Sequence, residues 1–309
     1  MTQFKSLQDV ALYFNHEDKC RTFLEKMRWS DGRIICPICG VRDAYRMADG
    51  KRYKCKDFDC RATFTVTVGT YMENTKLPLQ KWLMAMYLLS AHKKGISSYQ
   101  LARDLNIRQK AGWFLLMRIR QMFKDSGMTM LSGRIEADEH YVGGKWSNMS
   151  KKKRAKLVES GKDNKVAIMG ILERQGDAKL VMIGKDTLKD VIRKHVSTNA
   201  YINTDEHKAY VGLDKEFADH DSVNHSQGQF VKGDVHTNSV EGMFSLFSRM
   251  IFGIYHQISE KHLAQYCNEF TYRFNTRKIK DPDRFVKVFN NLNGRLTYQQ
   301  LIAKPEAKK

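Results

Sequence analysis

Three acidic residues set far apart in the chain are of the type that supports phosphoryl chemistry. Asp138 closes the strand-like run Ile135-Glu136-Ala137-Asp138, and Asp205 closes a second, Tyr201-Ile202-Asn203-Thr204-Asp205. Glu241 opens a helix-like stretch after His236-Thr237-Asn238-Ser239-Val240. Carboxylates delivered by two strand ends and a helix can converge on two hard divalent cations such as Mg²⁺, which prefer oxygen ligands. Two ions about 3.5–4 Å apart clamp the attacking and leaving oxygens of a phosphodiester displacement. The rest of the chain is basic, with 53 Lys+Arg against 34 Asp+Glu and a formal charge of +19. Acids that stand out against such a background point to chemistry on a polyanion, here DNA.

A second set of metal-binding side chains lies near the N-terminus. Four of the six cysteines fall in one window: Cys36 and Cys39, in Cys36-Pro37-Ile38-Cys39-Gly40, then Cys55 and Cys60. A Cys-x2-Cys turn followed by glycine presents two thiolates to one ion, and a second pair completes a closed tetrahedral site for one structural Zn²⁺. The alternatives are a disulfide or inert buried thiols, and the second pair has the wider Cys-x4-Cys spacing. Four thiolates leave no open coordination position, so this zinc is not catalytic. Cys20 and Cys267 have no partner in sequence and read as small buried hydrophobes.

The elements that must position these groups follow from pattern. A chain of 309 residues suggests about two domains. No apolar run approaches the ~20 residues that span a bilayer, and Met1-Thr2-Gln3-Phe4-Lys5 lacks a signal-peptide core. The expected location is therefore the cytoplasm, at the nucleoid in a bacterium, with thiols kept reduced. Between the cysteine pairs, Ala44-Tyr45-Arg46 and Arg52-Tyr53-Lys54 read as short strands turning at Asp49-Gly50. Trp82, Ala85, Met86 and Leu89 recur at helical spacing, with Gly95 as C-cap. Ser97 or Ser98 caps a short helix, and a turn at Asn106-Ile107 leads to a helix from about Arg108 to Phe123. That is a helix-turn-helix plan. Arg108, Gln109 and Lys110 at the start of its last helix would meet base edges; the plainer reading is a basic three-helix packing module.

After Leu131 the pattern turns to strands. Residues 134–142 alternate, and Lys145 to Lys165 holds eight basic and two acidic residues, which reads as a solvated loop. Within it Lys151, Lys152, Lys153 and Arg154 would suit phosphate contacts, or simply solubility. Val166–Leu172 and Leu180–Ile183 read as a hairpin around Gln175-Gly176-Asp177. A helix from Thr187-Leu188 to Val196 and a strand at 200–204 follow. Three strands, a helix, a strand and a final helix are the order of a ribonuclease-H-like α/β domain, in which the first and fourth strands are neighbours. Asp138 and Asp205 would then lie side by side. Asn238-Ser239-Val240-Glu241 also matches a capping box. The placement of Glu241 on a helix after the second acid, with 35 residues between them, favours catalysis. Glu136, Glu139, Glu206 and Asp234 are competing acids, with Glu139 expected to point away from Asp138 along the strand.

Six pieces in order carry a resemblance over nearly the whole chain. After the cysteine turn come Thr63-Phe64-Thr65-Val66-Thr67-Val68-Gly69-Thr70 and Asp138-Glu139-His140-Tyr141-Val142-Gly143-Gly144-Lys145. Then follow Thr204-Asp205-Glu206-His207-Lys208-Ala209-Tyr210, His236-Thr237-Asn238-Ser239-Val240-Glu241, Gly253-Ile254-Tyr255-His256 and Tyr272-Arg273-Phe274-Asn275. The chain resembles bacterial insertion-sequence DDE transposases of the zinc-ribbon type, to which Merlin elements are also similar. The resemblance implies a ribonuclease-H-like core with Asp138, Asp205 and Glu241 as triad and two Mg²⁺. It also implies terminal inverted repeats and target DNA as partners, and at least a dimer on DNA. Members of that family commonly carry a lysine seven residues after the third acid; here Ser248 stands there, with Arg249 next to it as a substitute phosphate contact. His236 either bonds the scissile phosphate or packs.

The expected layout is a helix and zinc ribbon over 1–75 and a helix-turn-helix-like module over 76–130. A catalytic domain follows over 131–295, with a basic insertion near 145–165, then a C-terminal tail over 296–309, disordered from Ala303 onward. The expected activity is DNA strand cleavage and transfer. A nuclease on the same fold that does not join strands, and a DNA-binding regulator with a degenerate site, are the alternatives.

Overall fold

Two compact units make up the chain: Met1–Lys124 with Lys278–Lys309, and Asp125–Arg277. The computed structural model describes residues 4–124, 130–144, 146–159, 161, 163–184 and 186–303, apart from the side chain of Lys153. Lys145 and the 304–309 part of the expected tail lie outside the described residues. In chain order the first unit begins with α1 (Leu7–Tyr13), α2 (Glu17–Arg28), β1 (Ala44–Arg46), β2 (Arg52–Cys55) and β3 (Thr63–Thr65). It continues with α3 (Leu79–Ala91), α4 (Ser98–Asp104) and α5 (Gln109–Met122). The second unit contains β4 (Arg134–Gly143), α6 (Lys151–Glu159), β5 (Lys165–Glu173), β6 (Ala178–Met182) and α7 (Leu188–His195). Then come β7 (Tyr201–Thr204), β8 (Asp219–Ser222), α8 (Asn238–Met250) and α9 (Glu260–Asn275). The chain returns to the first unit with α10 (Asp281–Lys287) and α11 (Tyr298–Ile302).

The first unit is closed by aromatic packing, and this decides where the second unit ends. Phe285 of α10 stacks on Phe23 of α2 with ring centroids 6.0 Å apart and packs edge-on to Phe4 and Phe289. Arg284 donates to the Ser90 carbonyl at the end of α3. The catalytic segment was expected to run to 295, but residues 278–295 join the N-terminal unit, because their apolar side chains complete that core. Ser6 and Asp9 form the reciprocal capping box that starts α1. Ser97 caps α4 by accepting from Gln100 N–H. Asn106, in the left-handed region (φ 47°), turns the chain from α4 into α5. That helix begins at Gln109, with Arg108 as its N-cap. Gly95 (φ 92°) lies past the last turn of α3, whose C-cap is His92.

The second unit is built on a five-stranded sheet of order β6-β5-β4-β7-β8. β4, β5 and β6 form an antiparallel meander, and β4, β7 and β8 run parallel. Ile135, Ala137, Met169, Ile171 and Ile202 on one face join Val191 and Ile192 of α7 and Tyr210, Leu213 and Phe217 in a single buried core. α8 and α9 belong to the same unit. Asn275 of α9 pairs its amide with both backbone groups of Ala178, and Thr271 accepts from Leu180 N–H. The exposed edge of β6 is thereby satisfied by side chains, which gives the Tyr272-Arg273-Phe274-Asn275 piece a structural reason. Where a loop was expected over 145–165, Lys151–Glu159 forms the helix α6. Strong helix formers (lysine, alanine, leucine, glutamate) fill it, and propensity prevails over its charge.

Candidate active site and metal centre

The sheet brings the first two acids together through register. β7 pairs parallel with β4 as Arg134↔Tyr201, Ile135↔Ile202 and Glu136↔Asn203, and then ends at Thr204. Beyond that point β4 continues past its neighbour, and Asp205 follows into the vacated edge beside Asp138. One carboxylate oxygen each of Asp138, Glu139 and Asp205 lies within 4.8 Å of the others. Burial, then the charges of Asp205, Glu139 and Glu241, push the Asp138 carboxyl up to about 7, against a bond from Glu139 N–H that favours its ionised form. Glu139 is raised too, by burial first. Like charges crowded this way are a donor set that a hard divalent cation could use.

Glu241 arrives on α8, which is seated against the Asp138 face of the sheet by two devices. Gly170 stands opposite Asp138 on β5, and a Cβ there would come within 2.6 Å of the Phe244 ring and 2.8 Å of Met243. Only glycine lets the helix approach so closely. The second device is Glu136, fully buried, whose carboxylate accepts from Ser239 N–H (2.8 Å), Val240 N–H (3.1 Å) and the Ser239 hydroxyl (3.0 Å). A carboxylate at a helix N-terminus satisfies its orphan donors and its dipole. Arg174 pairs with the same carboxylate at 2.6 Å, and His236 Nδ1 lies 3.3 Å from it. The N-cap is Thr237, not Asn238, and Glu241 accepts from the Thr237 hydroxyl at 3.1 Å. The capping box expected as the alternative is not made, because Glu136 holds the helix start. That leaves Glu241, nearly half exposed, among the charges felt at Asp138.

The other competing acids have partners elsewhere. Asp234 bonds Arg134 at 2.7 Å and Arg174 at 2.9 Å. Glu206 accepts from Ser226 Oγ and from the His225 and Ser226 N–H groups, which bring its carboxyl down to about 2. It pins a turn that places His225 Nε2 4.0 Å from Glu241. Glu139 differs from the expectation, since its carboxylate stays with Asp138 and Asp205. The strand edge left by the short β7 lets side chains from both faces of β4 meet. Glu139 is named in sequence only as a competing acid pointing away, since alternation argued against its adjacency to Asp138, and nothing in sequence singles out His225 beside Glu241.

The four expected cysteines converge in the first unit. Their sulfurs lie within 4.8 Å of one another, with Cys36–Cys60 at 3.8 Å and Cys39–Cys55 at 3.6 Å. A tetrahedral ion with Zn–S bonds of about 2.3 Å requires sulfurs about 3.8 Å apart, whereas a disulfide requires about 2.05 Å. Gly40, at φ 78°, closes the first turn by donating to the Cys36 carbonyl. In the wider second pair the Asp57 carboxylate accepts from Cys60 N–H, folding the extra residues into a turn. Geometry and donor set fit one structural zinc.

Residues 15–63 match the transposase zinc-ribbon domain, and residues 130–275 match the ISXO2-like transposase domain. The chain belongs to the zinc-ribbon insertion-sequence transposases. It is 27% identical over 275 residues to a Halobacterium salinarum protein described as an uncharacterized protein in transposable element ISH50. That match covers 84% of this chain and 91% of the relative, an archaeal protein.

In this transposase the expected DNA-contacting residues divide. Gln109 donates its amide to Ser98 Oγ at 2.9 Å, and the Lys110 ammonium lies 4.6 Å over the Tyr298 ring. Arg108 is exposed. Lys151 and Lys152 are exposed on α6, while Arg154 donates to the Met149 and Ser147 carbonyls and so closes its own loop. The side chain of Lys153 lies outside the described residues. Ser248, at the place of the family lysine, lies 3.3 Å from His140 Nε2, whose ring stacks on Phe244. Arg249 is exposed and leans on the Ser245 carbonyl of its own helix. No described helix is long and apolar enough to cross a membrane.

Proposed function

We propose that this chain cuts the ends of its mobile element and joins the freed 3′-hydroxyls to target DNA by two-metal phosphoryl transfer. The observation that supports this most is the meeting of Asp138 and Asp205 at the free edge of β4, where the charge of Glu241 on α8 is also felt, within a matched transposase domain. The strand order β6-β5-β4-β7-β8, with a parallel β4–β7 pair, is that of a ribonuclease-H-like domain, and we read it as one. Asp138, Asp205 and Glu241 would hold two Mg²⁺, which when bound activate the attacking oxygen and stabilise the leaving one. Asp138 lies between the other two acids electrostatically and is suited to serve both ions. Glu136 and Arg174 hold α8 so that Glu241 keeps its place, and no covalent protein–DNA intermediate is required. His236, beside Glu136, packs at the helix start rather than on phosphate.

We read α3–α5 as a helix-turn-helix that recognises the terminal repeat, with Arg108 as its principal base-reading donor. Lys151, Lys152 and Lys153 on α6 supply salt-dependent backbone attraction, and Arg249 can swing from its helix carbonyl to a phosphate. The active form is at least a dimer bridging two ends, working on nucleoid DNA. A strand-transfer assay with an end-bearing duplex and a supercoiled target tests the proposal. Mg²⁺-dependent cleavage followed by joined product is expected. Cleavage without joining would leave a nuclease, and the absence of both would leave a DNA-binding regulator.

A further inference from the structure

Glu139 has no role in the triad pattern, yet it belongs to the tightest acidic group among the described residues. Its carboxylate shares the 4.8 Å cluster with Asp138 and Asp205, a group that does not include Glu241. A short hydrogen bond fixes it there: Tyr210 Oη donates to Glu139 Oε2 at 2.5 Å. Tyr210 is itself locked, with 1% of its surface exposed and its ring in the core beneath the sheet. The other oxygen, Oε1, has His207 Nδ1 at 3.9 Å, too far for a hydrogen bond. A rigid hydroxyl on one oxygen, with the second left for another partner, is how proteins orient a ligating carboxylate. The piece Thr204-Asp205-Glu206-His207-Lys208-Ala209-Tyr210 thus supplies both an acid and, five residues later, the residue that holds a second acid beside it.

We propose that Glu139 is an additional carboxylate ligand to the divalent cation held by Asp138 and Asp205, and that Tyr210 is its positioning residue. This rests on the metal-dependent reading above. Three carboxylates on one ion leave a net negative site, which selects hard divalent cations over monovalent ones. Glu241 would then serve chiefly the other ion position. The ligand set would be wider than the three acids that the sequence pattern singles out.

Calorimetric titration of the full chain with Mn²⁺ alone, without DNA, tests this together with thermal unfolding in chelator. Glu139→Gln should weaken Mn²⁺ binding more than about tenfold, and Tyr210→Phe by about tenfold, the size of an outer-shell effect. Glu139→Asp should recover part of the loss. Wild-type Mn²⁺ affinity in Glu139→Gln, with only a lowered unfolding temperature, would reduce Glu139 to a hydrogen-bond partner of Tyr210 and overturn the proposal. Should Glu139→Gln not fold, Tyr210→Phe decides, and unchanged affinity there overturns it equally. Asp138→Asn separates the two levels. If it too keeps wild-type Mn²⁺ affinity, the metal-dependent reading itself falls, whereas its loss beside an unaffected Glu139→Gln removes only the inference about Glu139.

Discussion

The ribbon gathers four cysteines and the acidic edge three carboxylates, with Glu241 outside that group, and the two clusters solve opposite problems. In the ribbon, Cys36, Cys39, Cys55 and Cys60 come from one stretch of 25 residues and two tight turns. Soft thiolates set this way can close around one ion and leave nothing open, which would make the ion part of the fold. At the acidic edge, Asp138, Glu139, Asp205 and Glu241 are spread over more than a hundred residues and depend on strand register and a seated helix. Hard carboxylates stand open there, repelling one another until an ion arrives. One site is suited to a metal that makes structure. The other uses structure to hold charge apart from its compensation.

The largest effect that would break this comparison concerns the ribbon. Structural zinc contributes on the order of 10 kcal/mol to the folding of small zinc modules. Cys39→Ser should therefore lose the one zinc per chain and melt residues 34–65, measured by metal analysis and hydrogen exchange. Retention of full zinc in a Cys36→Ser, Cys39→Ser double variant would show that the cluster is not the site.

At the acidic edge the expected loss is catalytic instead. Asp138→Asn keeps size and should lower Mg²⁺-dependent cleavage by at least about 10³-fold, the several kcal/mol that metal stabilisation of the transition state supplies. Affinity for element ends should stay near wild type, since it derives from the basic surface. Equal loss of cleavage and end binding would mean that Asp138 supports the fold rather than the chemistry.

What could be read from sequence follows the same division. The zinc ligands were legible because spacing within a short loop nearly dictates geometry, and the structure differs only by adding β3 to the two expected strands. The β4–β7 neighbourhood was legible because the order of elements admits few sheets. Glu139 was not, because alternation along a strand assigns it to the far face. Only the early end of β7 at Thr204 lets it reach round. The role of Glu136 was equally hidden: nothing in Ile135-Glu136-Ala137-Asp138 says that this acid caps a helix a hundred residues away. The end of the second unit was misplaced because Phe285 reads as core without saying whose core.

Removing one ligand should shift stability in opposite directions at the two sites, with zinc bound at the ribbon and with no metal at the acidic edge. Asp138 has its folded-state carboxyl pushed up to about 7 by burial and neighbouring acids, above the ordinary unfolded value near 3.9. Such a group destabilises the fold at every pH above the unfolded value, increasingly until the folded value is passed. In chelator at pH 8, Asp138→Asn should thus raise the unfolding temperature of its unit by a few degrees, and the gain should fade toward pH 4. Cys39→Ser should lower stability at any pH at which zinc binds. An Asp138→Asn protein that unfolds earlier than wild type at pH 8 would contradict the repulsion read here.

The smallest effect belongs to Asp234, which sequence alone left as a rival third acid. Its carboxylate is 70% exposed and shared by Arg134 and Arg174. Exposed pairs of this kind contribute about 0–1 kcal/mol, and Arg174 keeps its stronger partner in the buried Glu136. Asp234→Asn should therefore cost less than about 1 kcal/mol and leave cleavage little changed. Glu241→Gln, which retains the Thr237 contact and removes only charge, should be nearly as inactive as Asp138→Asn. Side-by-side cleavage rates decide between them. If Asp234→Asn were the inactive one, the two arginines would be guarding a ligand, and the third acid would sit before α8 instead of on it.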